Sequence, residues 1–182
     1  MPILTAEMVL NPGNDLAQSN QIATLGALRP GVAGVRQTLA LMVSVVKQYR
    51  KNPDIRAFAE TIIQNVPQKD AVAEVRAVFN WVQNNIRYTQ DIRDVETLKT
   101  PDITINTGHG DCDDQATLIA TLVETIGYAA RFVAIGMAQS DAFEHVYAEV
   151  KLGTTWVALD TTEPNPMGWK PKNPAAYLVR HI

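Results

Sequence analysis

Apolar residues recur at helical spacing up to Gly127 and alternate beyond it, so helices are expected first and strands afterwards. Val35 to Arg50 reads as a helix. Its middle, Leu39-Ala40-Leu41-Met42-Val43-Ser44-Val45-Val46, is apolar nearly all round. Such a helix is either central to the fold or keeps one face for a partner. A second helix starts at Asn52-Pro53, carries Ile55, Phe58, Ala59, Ile62 and Ile63 as its apolar stripe, and ends at Pro67. A third runs from about Asp70 to Asn85 on Val72, Val75, Val78, Phe79 and Val82. Core packing accounts for all of these. A fourth apolar-periodic run, Ala116 to Ile126, is stopped by Gly127. Three strands follow: Arg131 to Met137, Phe143 to Val150 and Thr154 to Asp160. The second alternates strictly, with His145, Tyr147 and Glu149 on one face. Residues 1–34, broken by Pro2, Pro12, Gly13, Pro30, Gly31 and Gly34, read as an extended arm that packs on its own domain or on a neighbour in an assembly. A long polar connection from Thr89 to Gly108 suggests a cleft wall. The chain after Thr161 reads as irregular wrapping.

Length and composition then narrow the classes. With 182 residues and 46% hydrophobic content the chain can bury one real core. The net charge is −3, the pI is about 5.6, and no Lys/Arg run occurs, which argues against nucleic acid or an anionic membrane as partner. The apolar run Leu39–Val46 is far too short to span a bilayer. The start lacks a basic segment followed by an apolar one, so no signal peptide is expected and a cytoplasmic location is. One cysteine excludes an internal disulfide. Three histidines and one cysteine without paired ligand spacing argue against a metal site, and no cofactor is expected.

The candidate chemistry centres on Gly110-Asp111-Cys112-Asp113-Asp114, where a glycine-containing loop becomes the fourth helix. Cys112 falls in the first helical turn. There the exposed N–H groups favour a thiolate and can hold a developing oxyanion. A lone cysteine is also, commonly, a small buried hydrophobe. Asp111, Asp113 and Asp114 oppose a thiolate by like charge, but they suit helix capping, the role expected for Asp113 and Asp114.

A register argument adds a base. If Leu152-Gly153 is a two-residue hairpin loop, Lys151 pairs with Thr154 and His145 lies directly opposite Asp160 on one face. The carboxylate then accepts from imidazole Nδ1 and leaves Nε2 for a third group. A three-residue loop would put the two on opposite faces. Cys112, His145 and Asp160 together match nucleophile, base and orienting carboxylate.

In this arrangement the chain resembles the transglutaminase-like superfamily of papain-related cysteine enzymes. The matching pieces run in family order: Phe79-Asn80-Trp81-Val82 through Ile86-Arg87-Tyr88, then Gly110-Asp111-Cys112-Asp113-Asp114, then Ala130-Arg131-Phe132-Val133, then His145-Val146-Tyr147-Ala148-Glu149-Val150, then Trp156-Val157-Ala158-Leu159-Asp160. Cys and His lie 33 positions apart and His and Asp 15. The resemblance covers roughly residues 70 to 165. It implies an α+β fold, with the nucleophile helix on an antiparallel sheet, and thiol acyl transfer on an amide through a thioester. With the pattern upstream of it, which the resemblance does not cover, the chain divides into an arm over 1–34, helices over 35–69 and a core over 70–182 with an irregular C-terminal wrap. Members from bacteria and phages are more often proteases or amidases than cross-linkers, and the Asp113-Asp114 pair after the cysteine and the small size without an expected signal peptide resemble phage-encoded ones. Some adhesin-cleaving members bind calcium through acidic residues beside the cysteine. Asp111 and Asp113 stand at those positions, but adjacency in sequence builds no cage and no metal is assigned.

Other residues carry weaker signals. Tyr88 is the candidate for a second oxyanion donor, and Gln115 and Trp169 are candidates for lining the cleft. His109 is a rival base or a surface histidine, and His181 is expected in solvent. Two functions follow: a cysteine peptidase or amidase acting on a protein or peptide, and a structural or virion-assembly component that docks through residues 1–34 and the Leu39–Val46 helix.

Overall fold

The computed structural model describes residues 23–24, 31–90, 97–137 and 143–182. The elements run β1 (Ala23–Thr24), α1 (Val32–Tyr49), α2 (Pro53–Ile63), α3 (Ala71–Asn85), β2 (Arg87–Tyr88), β3 (Thr97–Leu98), α4 (Pro101–Thr107), β4 (His109–Gly110), α5 (Cys112–Thr125), β5 (Ala130–Gly136), β6 (His145–Leu152), β7 (Thr155–Leu159) and β8 (Ala176–His181). The fold is α+β. Four antiparallel strands in the order β7-β6-β5-β8 form the sheet.

Helix α5 is the centre. Every residue from Asp114 to Val123 is buried, because α1, α2, α3 and α4 pack around it and β5 and β6 close the remaining side. Its apolar side chains each contribute roughly 1.5–3 kcal/mol by leaving water. Its buried threonines are tolerated because Thr121 and Thr125 hydroxyls donate to the carbonyls of Thr117 and Thr121, both at 2.7 Å. Gly127, at φ +100°, ends the helix, and the Tyr128 N–H donates back to the Val123 carbonyl. Beyond the turn, Glu124 accepts from Arg50 at the end of α1 and from the Ala130 N–H at 2.7 Å, so one carboxylate joins α1, α5 and β5.

The first three helices lie within a few residues of their expected bounds. Asn52 caps α2 through Asp54 and Ile55, and Asp70 caps α3 through Ala73. Helix α1 is not covered all round. Leu39, Met42, Val43, Val45, Val46 and Tyr49 face the core, while Arg36, Ala40, Ser44 and Lys47 form a solvent stripe. It starts at Val32, so its first turn lies inside the span expected as an extended arm, and residues 1–22 and 25–30 of that arm lie outside the described residues.

Three expectations are corrected. The polar connection before Cys112 contains α4, a two-turn helix with Pro101 in its first turn and Gly108, at φ +66°, closing it. Those two signals were present, but a run as short and polar as Ile103-Thr104-Ile105-Asn106 shows no period. The C-terminal wrap is irregular only to about residue 175: Ala176–His181 form β8, paired to β5, with Arg131 opposite His181. The hairpin turn is Gly153-Thr154, not Leu152-Gly153, with Lys151 opposite Trp156 and Leu152 opposite Thr155. Gly153 takes φ +59°, the left-handed conformation that such a turn requires and leucine resists.

Candidate active site

The motif around Cys112 is built by close approach. A Cβ on Gly110 would stand 2.6 Å from the Asp114 Cβ, so only glycine lets the loop pass there. Asp111 caps α5 by accepting from the Asp114 N–H at 3.0 Å, and Asp114 returns a bond to the Asp111 N–H at 3.3 Å. Asp114 also accepts from the Lys99 N–H at 2.7 Å and from Lys99 Nζ at 2.5 Å. This corrects the expected division of roles. Asp111 and Asp114 cap the helix, whereas Asp113 turns to the sulfur, with Cys112 Sγ donating to its Oδ1 at 3.6 Å.

That geometry opposes the expected thiolate. Burial pushes the Cys112 thiol up, and the charges of Asp113 and Asp111 push it further, against a hydrogen bond from the Val146 backbone that lowers it. A helix N-terminus contributes about 0.3–1 kcal/mol to an anion, too little against burial and two carboxylates. Cys112 is therefore a thiol at neutral pH, and a nucleophile only when a base takes its proton. Asp113→Asn should lower the apparent pKa of Cys112 and speed iodoacetamide alkylation at pH 7.5 about tenfold. Alkylation followed by intact mass checks this, and an unchanged rate would show that Asp113 does not act on the sulfur.

His145 opens β6 opposite Ile135, and Asp160 follows directly on β7. With the register moved by two residues they are diagonal neighbours rather than opposite ones. The shift is even, so both stay on the same face. His145 Nε2 meets Asp160 Oδ2 at 2.7 Å. The nitrogen bound to the carboxylate is thus Nε2 and not Nδ1, which leaves Nδ1 as the ring atom for a third group. Burial alone would raise the Asp160 carboxyl. The hydrogen bond and charge of His145, with the Thr162 N–H at 3.2 Å and hydroxyl at 2.7 Å, instead hold it below its usual value. Tyr147 stacks behind His145 at 6.1 Å between ring centroids.

Cys112 and His145 line one cavity of about 290 Å³, whose opposite wall is α1. Val146 donates its backbone N–H to Cys112, so the strand that carries His145 touches the helix that carries the cysteine. Tyr88 is brought beside this pair because β2 runs parallel to β4, with Tyr88 next to Gly110. It is 49% exposed, and burial together with the nearby charges of Asp111 and Asp113 raises its phenol, keeping it a protonated donor.

Gln115 does not line the cavity. It is buried, its Nε2 donates to the Gly110 carbonyl at 3.2 Å, and its Oε1 accepts from the Thr161 hydroxyl at 2.9 Å. It ties the loop before Cys112 to the residue after Asp160, a role that its place one turn into an apolar helix did not suggest. Trp169 also lies away from the cavity, in a turn held by the Gly168 N–H on the Ala158 carbonyl. His109 sits in β4, and its buried Nδ1 has no partner among the described residues. His181 is exposed, with its ring edge-on to Trp156 at 5.4 Å. Among the described residues no group of three or more His, Cys, Asp or Glu is placed to hold a metal ion, and no helix is long and apolar enough to cross a membrane.

Residues 56–161 match the transglutaminase-like superfamily, a span that takes in α3, the Cys112 helix and both strands that carry His145 and Asp160. The chain belongs to that superfamily. Its match begins within α2, upstream of the residue 70 from which the sequence resemblance was drawn. No curated protein matches the chain. Among solved structures it is similar to a candidate cysteine protease from Cytophaga hutchinsonii, at 21% identity and a TM-score of 0.51, over 66% of this chain and 42% of that one. A candidate protease from Parabacteroides distasonis aligns at 13% identity and a TM-score of 0.55, over 71% of this chain and 27% of that one. The chain thus spans less than half the length of either. At these identities the likeness is one of fold.

Proposed function

We propose that this superfamily member is a cysteine peptidase or amidase that cleaves amide bonds in a protein or peptide through Cys112, His145 and Asp160. The observation that carries the reading is the 2.7 Å contact between His145 Nε2 and Asp160 Oδ2, at the rim of the cavity that Cys112 lines. A scaffold has no need of a buried carboxylate holding a histidine in one orientation beside the chain's single thiol.

The reaction runs by acyl transfer. His145 Nδ1 takes the thiol proton as the sulfur attacks the carbonyl carbon, and Asp160 stabilises the imidazolium. The tetrahedral oxyanion is met at the start of α5, with the Tyr88 hydroxyl as second donor. The C–N bond then breaks, the imidazolium proton passes to the departing amine, and the acyl group stays on sulfur as a thioester. Water, deprotonated by His145, attacks the thioester and releases the carboxylic acid and the thiol. Gln115 acts as a positioning residue, since it fixes the distance between the nucleophile's loop and the end of the aspartate strand.

The test is to mix the protein with p-nitrophenyl acetate, quench in acid, and read the intact mass. One acetyl group on Cys112, which builds up and decays and is absent from Cys112→Ser, is the expected result. Acetylation spread over lysines, and unchanged in Cys112→Ser, would overturn the reading.

A further inference from the structure

The cavity beside Cys112 and His145 has a wall that the superfamily match does not include. Helix α1 ends before residue 56, where the match begins, yet Val35, Thr38, Leu39 and Met42 form one side of the cavity. This chain's own N-terminal helix therefore shapes what can lie against the nucleophile. The lining is also sorted by depth. Leu39, Met42, Ala134 and Val146 are buried, and every one is apolar. The polar lining residues, Thr38, Asp113, Glu144 and His145, are half-buried or exposed. Phe143 and Gly34 also line it.

We propose that this cavity is a specificity pocket for an uncharged, apolar side chain of leucine, methionine or phenylalanine size, flanking the amide that Cys112 attacks. The inference rests on the thiol acyl-transfer reading above. A volume of about 290 Å³ has room for one such side chain. An aspartate or glutamate there is excluded twice. Among the described residues no Lys or Arg lines the cavity to pair with it, and the half-buried Asp113 and exposed Glu144 of the lining repel it. A small polar side chain reaches a floor that offers it no hydrogen-bonding side chain. The substrate class is thus a peptide with a large apolar residue at the cleavage site.

Matched electrophiles test the pocket apart from the catalytic reading. N-isobutyl, N-benzyl, N-(2-hydroxyethyl) and N-carboxymethyl chloroacetamide each alkylate Cys112 by displacement of chloride, and their rates on glutathione correct for intrinsic reactivity. The readout is the ratio of rates within one protein, so the overall reactivity of the thiol cancels. In the wild type the isobutyl and benzyl reagents should outrun the hydroxyethyl reagent by roughly tenfold, with the carboxymethyl reagent slowest. Val35→Trp and Thr38→Phe, both at half-buried positions, fill the cavity and should bring the ratio to that of glutathione. Thr38→Lys should raise the carboxymethyl rate relative to the others. A wild-type ratio equal to glutathione's, or a ratio unmoved by all three variants, overturns the pocket. A ratio as expected together with no His145-dependent reactivity keeps the pocket and removes the enzyme reading.

Discussion

His145→Ala should slow acyl transfer from Cys112 by about 10²- to 10⁴-fold, the range supplied by a positioned general acid and base. The effect is large here because the thiol is held protonated. Burial and the carboxylates of Asp113 and Asp111 raise it, so almost no thiolate exists at pH 7 without a base to receive the proton. The pH profile should change with the rate. In the wild type acylation by p-nitrophenyl acetate does not wait for free thiolate, because His145 takes the thiol proton. In His145→Ala it should follow the free thiolate and climb with hydroxide through pH 9 and beyond, since an acid with a raised pKa gains its charge only at high pH. Asp160→Asn keeps the shape of the site but loses the anion that steadies the imidazolium, and should fall between the two. A His145→Ala protein with wild-type rate and profile would remove His145 from the chemistry.

Asp114→Ala should destabilise the fold by about 3–5 kcal/mol, because it leaves Lys99 buried without its counter-charge. Asp114 is 0% exposed and the Lys99 side chain 13%. The same substitution removes the returning half of the capping box at the start of α5. For a chain of this length the melting temperature should fall by roughly 10 °C, as read by circular dichroism. The double variant Lys99→Met with Asp114→Ala separates the causes. If the stranded ammonium dominates, the double variant is more stable than Asp114→Ala alone. A fall of less than about 2 °C in the single variant would mean that the pair is not an anchor of α5. The three aspartates beside the cysteine thus have distinct tasks. Asp111 caps, Asp113 opposes the thiolate, and Asp114 anchors the helix into the core.

Much of this was legible in the chain itself. Helical spacing marked α1, α2, α3 and α5, and strict alternation from Phe143 to Val150 marked β6, because a helical turn of 3.6 residues and a pleat of two leave different imprints on which positions are apolar. The single cysteine at a helix start, the histidine 33 positions on and the aspartate 15 beyond it marked the superfamily. Parity did the rest for His145 and Asp160. Any hairpin turn of two residues puts them on one face, whichever two residues form it.

Tertiary structure alone decided what depends on approach through space. Which pair of residues made the turn followed from the left-handed conformation of Gly153, and that made Asp160 a diagonal neighbour of His145 and its partner Nε2. The state of the thiol depended on whether Asp113 faces the sulfur, a rotamer that sequence does not reveal. Lys99 lies 15 positions from Asp114, with no period to join them. β8 is a short strand after a stretch of proline and asparagine, and only its pairing to β5 makes it one. The cavity beside the nucleophile is likewise a joint product of α1 and β6, held together through α5 by burial that no local pattern encodes.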